Sequence, residues 1–167
     1  MVIGIISDTH NHLSNLIYCL DFFKEQQINI IIHCGDLIDI NLLQHFEGFR
    51  VIYTYGNCDK FTELLNMEIK KLNPENHAGF SFEGWLDSKY IFVTHGNLEG
   101  RIMDAVRSRK YDFVFSGHTH SFRDETHLST RLINPGALGS LGKTRHSFAI
   151  VDLTTGELQK HFIPDNQ

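Results

Sequence analysis

VIGIISDTH, residues 2–10, sets an uncharged run from Val2 to Ser7 directly before two side chains of a type that can bind metal, Asp8 and His10. Apolar runs this short, rich in Ile, Val and Phe, read as strands buried in a sheet. The arrangement recurs along the chain. Ile28–His33 leads through Cys34-Gly35 to Asp36, and Val51–Tyr55 leads through Gly56 to Asn57. Tyr90–Thr94 delivers His95, and Asp112–Ser116 leads through Gly117 to His118 and His120. In open α/β sheets, ligands bind in the crevice outside the carboxyl ends of the strands. Seven oxygen and nitrogen donors are therefore expected to converge there, enough for two metal ions sharing one bridging carboxylate. Paired cations make water nucleophilic and clamp a phosphoryl group.

Between these strands the pattern alternates with helices. Ser14 is the expected N-cap of a helix carrying Leu16, Ile17, Leu20 and Phe23 at helical spacing to about Gln27. Asn41–Phe46 reads as a short helix and Phe61–Met67 as another, with Pro74 and Gly79 breaking the pattern afterwards. Phe80 and Phe82 alternate with polar residues, which suggests a strand, and Leu98–Lys110 reads as a helix. Only strands are expected after it: Asp112–Ser116, Ser121–Leu128, Arg131–Asn134, and a terminal hairpin of Phe148–Leu153 and Glu157–Ile163 joined by Thr154-Thr155-Gly156. Helix-alternating strands first and sheet-only segments later imply a mixed two-sheet sandwich flanked by helices. No repeat, low-complexity stretch or linker divides the chain, so residues 1–167 are expected to form a single domain.

Composition narrows the function. With 167 residues and 41% hydrophobic content, the chain can bury a real core. A net charge of −5 offers no broad basic face for extended nucleic acid, so a small anionic substrate must be drawn by something local, such as bound cations. Cys19, Cys34 and Cys58 form no CxxC pair and no disulfide framework. A reducing cytoplasm is the expected compartment. There is no signal-peptide pattern and no apolar run near the roughly 18 residues that cross a bilayer, so no membrane partner is expected.

The donors sit in informative contexts. Asp8-Thr9-His10 and His118-Thr119-His120 place donors at alternate positions, pointing the same way if the path stays extended. Gly35 and Gly56 let the backbone turn sharply and approach an ion closely. Mixed carboxylate and imidazole ligands suit Mn, Fe, Zn or Co better than Ca, and the oxygen share admits Mg.

The segments SDTHN (7–11), GDLID (35–39), GNCD (56–59), THG (94–96), GHTH (117–120) and NPG (134–136) together resemble the calcineurin-like metallophosphoesterases. Their order is most similar to the small bacterial and archaeal phosphodiesterases of that family and covers about residues 1–152. The resemblance implies a four-layer α/β/β/α sandwich. It also implies one metal held by Asp8, His10, Asp36 and His120, and a second held by Asp36, Asn57, His95 and His118. The two divalent ions, Mn foremost with Fe, Zn, Co, Ni or Mg as alternatives, would lie roughly 3.5–4 Å apart. A hydroxide between them would attack phosphorus in line, with Asp36, Asn57 and His95 at the catalytic centre. Two divalent ions, two aspartates and a hydroxide leave about one positive charge, the complement of a singly charged phosphodiester.

Two departures matter. Many relatives carry GNH, whose His is a proposed general acid, where this chain has Cys58. A thiol with an ordinary pKa near about 8.5 is a poor replacement. After THG, Asn97 stands where close relatives often have a second histidine. Around the seven donors the plainer readings are preferred. Asp39 and Asp59 are loop hydrogen-bonders or caps, His33 is a packed core residue, His12 is a loop residue facing solvent, and Cys58 is a quiet loop cysteine. His45, His77, His127, His146 and His161 are surface residues, Arg101 and Arg123 are solvated, and Asn134-Pro135-Gly136 shapes the floor of the site. The Phe80–Trp85 cluster suits core packing, a cover for the site or a homo-oligomer interface equally well. The alternatives to a phosphodiesterase are a phosphatase for small monoesters and a non-catalytic interaction module, since one retromer subunit resembles this fold.

Overall fold

The computed structural model describes residues 1–98, 100–140 and 145–164. Strand β1 (Val2–Ile6) lies at the centre of a six-stranded sheet, parallel to β2 (Ile30–His33) on one side. β3 (Arg50–Thr54) and β4 (His77–Gly79) continue that parallel series. On the other side β10 (Ser147–Asp152) runs antiparallel to β1, and β11 (Leu158–Phe162) antiparallel to β10. The order is therefore β11-β10-β1-β2-β3-β4.

The second sheet contains β5 (Ser81–Leu86), β6 (Lys89–Thr94), β7 (Phe113–Phe115), β8 (Arg123–His127) and β9 (Thr130–Asn134) in the order β5-β6-β7-β9-β8. Its three middle strands are parallel and its two edges antiparallel. Helices α1 (Leu13–Glu25) and α2 (Thr62–Leu72), with a 3-10 helix at Ile40–Phe46, cover the first sheet; α3 (Arg101–Ser108) covers the second. The result is the expected α/β/β/α sandwich of two mixed sheets.

Period-two alternation divides β1 between two cores. Ile3 and Ile5 join Ile32, Ile52, Ile91, Val93, Phe113 and Phe115 between the sheets. Ile6 faces the helices with Leu16, Leu20 and Phe23. Each of these fully buried side chains contributes roughly 1.5–3 kcal/mol. Gly4 is where α1 comes closest: a Cβ there would lie 2.5 Å from the Phe23 ring.

Boundaries differ from the sequence reading where local chemistry is silent. His12, not Ser14, precedes the first turn of α1, without a side-chain cap, because the chain enters from a left-handed turn at His10 and Asn11. Helix α2 runs on to Leu72, with Lys70 and Lys71 favourably placed in its last turn, and stops just before Pro74. Gly100 and Arg109, both left-handed, confine α3 to fewer residues than 98–110, of which residue 99 lies outside the described residues. β4 is only three residues long, too short to show a period. The terminal hairpin closes as expected, with Gly156 N–H donating to the Asp152 carbonyl at 2.7 Å. Among the described residues no helix is long and apolar enough to cross a membrane.

Candidate metal centre

β1, β2, β3, β6 and β7 all end at one rim, and the expected donors lie in the turns that follow. The backbone leaves the strands abruptly. Asp8, His10, Asp36, His118 and His120 all adopt positive φ, between 43° and 68°. Such conformations are uncommon outside glycine and cluster at functional sites. The extended path assumed for Asp8-Thr9-His10 and His118-Thr119-His120 is thus corrected: the donors converge through left-handed kinks. Thr9, between the first pair, instead meets His33 Nε2 at 2.9 Å in the core.

Two clusters form. In the first, His10 Nε2 and His120 Nε2 are 3.1 Å apart, with Asp8 Oδ1 3.3 Å from His120 and 3.9 Å from His10. In the second, His95 Nε2 lies 3.1 Å from Asn57 Oδ1 and 3.4 Å from Asp36 Oδ2. Asp36 Oδ2 is also 3.8 Å from His10 Nε2, so this carboxylate stands between the clusters. His118 is the looser member. Its ring packs edge-on against His95 at 5.1 Å, exposed to solvent, while its N–H donates to Asp8 Oδ2 at 3.0 Å.

The donor set fits cations. Asp8 Oδ1 is buried without a hydrogen-bond partner, while Oδ2 accepts from Ser7 Oγ at 2.6 Å. His95 Nδ1 donates to the Cys34 carbonyl at 2.6 Å, so its Nε2 faces two oxygens that only a proton or a metal can reconcile. Burial raises the Asp8 pKa despite Ser7 and the nearby histidines. Burial would also raise Asp36, but the His95 hydrogen bond and Cys58 N–H (2.7 Å) outweigh it and hold the carboxyl at about 2. His95 is the converse case: burial lowers its pKa, yet its bonds to Asp36 and Cys34 leave it raised.

Close approach explains two of the glycines. Gly35 (φ 98°) makes the turn into Asp36, whereas Gly56 has ordinary φ and serves by leaving room, since a Cβ would collide with the Asp36 carboxylate. Asp59 does more than close a loop. It accepts from the N–H groups of Asp36 (3.0 Å), Ile38 (3.2 Å) and Gly56 (2.8 Å) and from Tyr53 Oη (2.7 Å), tying the loops after β2 and β3 together. Asp39 caps the 3-10 helix through Asn41 N–H. Asn134 Nδ2 holds the Gly117 carbonyl at 2.7 Å, so it shapes the floor by hydrogen bonding.

Several histidines read as surface residues are partly buried and engaged. His146 bonds Asn15 and Ser140 N–H, His77 bonds the Ser81 carbonyl, and His161 packs on Phe22 and Phe148. His12, read as facing solvent, is partly buried and packs edge-on against His146 at 5.3 Å. Phe80 and Trp85 are 64% and 67% exposed, whereas Phe82 between them packs against the core between the sheets, so only part of that cluster is core.

Comparison with known proteins agrees with this fold. The calcineurin-like phosphoesterase superfamily domain matches residues 1–156. Phosphodiesterase MJ0936 of Methanocaldococcus jannaschii is 36% identical over 138 residues, covering 81% of this chain and 83% of that protein. A solved archaeal phosphodiesterase superposes with a TM-score of 0.93 at 32% identity, covering 98% of this chain and 100% of that one. Vps29 of Entamoeba histolytica shares the fold alone, with a TM-score of 0.70 at 16% identity over 99% of this chain and 100% of that one. A match that runs from β1 through β10 and takes in every strand-end donor makes this chain a member of the calcineurin-like phosphoesterase superfamily.

Proposed function

We propose that the chain is a dinuclear metal-dependent phosphodiesterase that hydrolyses small phosphodiesters. Asp8, His10, Asp36 and His120 would hold one divalent cation, and Asp36, Asn57, His95 and His118 the other. The observation that carries this reading is the facing set of lone pairs: Asp8 Oδ1, His10 Nε2, His120 Nε2, Asp36 Oδ2, His95 Nε2 and Asn57 Oδ1 approach one another at 3.1–3.9 Å, with a buried carboxylate oxygen left unbonded. When bound, two such cations, Mn foremost, lower the pKa of water and neutralise charge on the phosphoryl oxygens.

The protein's part is placement. Asp36, fixed by Cys58 N–H and by the Asp59 brace on its own backbone, would serve both cations. The Cys34 carbonyl fixes the His95 tautomer so that Nε2 points into the site. Asp8, Asp36 and a hydroxide would offset three of the four charges of two divalent cations, leaving a well of about one positive charge in a chain of net charge −5. That well suits the single charge of a diester, and it supports the choice of a small ester over extended nucleic acid. The three free cysteines suit a reducing cytoplasm. Turnover of bis(p-nitrophenyl) phosphate and p-nitrophenyl phosphate by Mn-loaded protein tests the reading. The diester is expected to react faster, and a clearly faster monoester would reverse the assignment.

A further inference from the structure

Beside the Asp8 cluster lies a hollow of about 360 Å³ lined by His10, His12, Ile38, His120 and Ser140. We propose that it binds an uncharged, ring-bearing substituent of the phosphodiester, with Ile38 as the residue that selects it. The inference rests on the phosphodiesterase reading and names its substrate class.

The position of the hollow gives the first argument. It shares His10 and His120 with the candidate metal centre, so a group seated there is joined to a phosphoryl group at that centre. The size admits a phenyl ring or a base-sized group, at the small end of ligand pockets. Its chemistry gives the second. One aliphatic side chain, three imidazoles and one hydroxyl line it, and none of the five is Lys, Arg, Asp or Glu. A second phosphate would find no cationic side chain among these residues, whereas a flat ring finds imidazole faces and edges.

Ile38 gives the third argument. Its φ is 76°, a conformation that β-branched residues avoid because the side chain crowds the backbone. Glycine or asparagine would adopt it readily, yet an isoleucine stands there, 39% exposed on the wall of the hollow. The surroundings hold it in place. Ile38 N–H donates to Asp59 Oδ1 at 3.2 Å, Asp39 N–H to Asn11 Oδ1 at 2.7 Å, and Asn11 N–H to the Leu37 carbonyl at 3.3 Å. A strained aliphatic side chain presented to a pocket, not to the core, points to a ligand contact.

The test compares phenyl p-nitrophenyl phosphate with methyl p-nitrophenyl phosphate, which share a leaving group. Wild-type kcat/KM is expected to favour the phenyl ester about tenfold, the scale of a filled apolar pocket. Ile38→Gly, which suits the local φ, is expected to reduce that ratio to about twofold. Calorimetric titration of the metal-loaded protein with diphenyl phosphate and dimethyl phosphate reads the same preference without turnover. Equal ratios in wild type and Ile38→Gly, in both measurements, would overturn the proposal. Tighter diphenyl phosphate binding that Ile38→Gly abolishes, with neither ester hydrolysed, would uphold the pocket and defeat the phosphodiesterase reading.

Discussion

The two sheets contribute unlike chemistry to the rim. The first, through the turns after β1, β2 and β3, supplies Asp8, His10, Asp36 and Asn57, and so every oxygen donor. The second, through the turns after β6 and β7, supplies only imidazoles: His95, His118 and His120. Each proposed cation draws on both. Each sheet braces its own donor turns, the first by Asp59 across two loops and the second by Asn134 on the Gly117 carbonyl, and the second sheet's donors also bond to the first: His95 to the Cys34 carbonyl, and His118 N–H to Asp8. Negative charge resides in one layer, and the second layer would complete the coordination.

Breaking Asp36, the carboxylate proposed to be shared between the cations, has the largest expected effect. Asp36→Asn removes several kcal/mol of charge stabilisation at the centre, roughly a thousandfold in kcat/KM. Metal analysis of the purified variant should show one or both cations lost, and retention of both with full activity would refute the bridging role. The same sheet carries the weak point of the chemistry. Burial, and then the adjacent Asp36 carboxylate, push the Cys58 thiol up to about 11, which leaves little help for a departing alkoxide. Rates should fall steeply as leaving-group pKa rises. Cys58→His should flatten that dependence and speed poor leaving groups by about a hundredfold. A flat Brønsted plot for the wild type would dispose of this view.

Smaller effects test the first sheet's brace and core. Asp59→Ala strips acceptors from three backbone N–H groups and the buried Tyr53 hydroxyl, a loss of about 2–4 kcal/mol in urea unfolding. An unchanged midpoint would mean that the loops hold without the brace. The mildest test is pH. Burial, then the neighbouring His95, hold the His33 imidazole at about 3. The unfolded chain therefore takes up a proton first, near the ordinary value of about 6.5. Stability should drop as pH falls from about 6.5 toward 3, and His33→Gln should lessen that slope. A variant as acid-sensitive as wild type would place the effect elsewhere.

Much of the architecture was legible because buried strands announce themselves through uninterrupted Ile, Val and Phe. All five strands that end at the rim were located from such runs, and the hairpin from Thr154-Thr155-Gly156. What escaped has physical reasons. β4 is too short to show alternation, and α2 outran Met67 because charged residues continue a helix without marking it. The left-handed turns at Asp8, His10 and His120 leave no signature, since aspartate and histidine only modestly favour that region. Ile38 was invisible because nothing in its residue type suggests a kinked, outward-facing isoleucine. Asp59 reads as a loop hydrogen-bonder or cap, but its reach to three N–H groups on two loops and to the Tyr53 hydroxyl on β3 depends on distances that spacing alone does not give.

The short bond from His95 to the Cys34 carbonyl crosses the seam between the layers, and that has a mechanical meaning. The centre would then be a clasp as well as a workplace: an ion seated there would fasten one sheet to the other, and any force that parts the sheets would open the clasp.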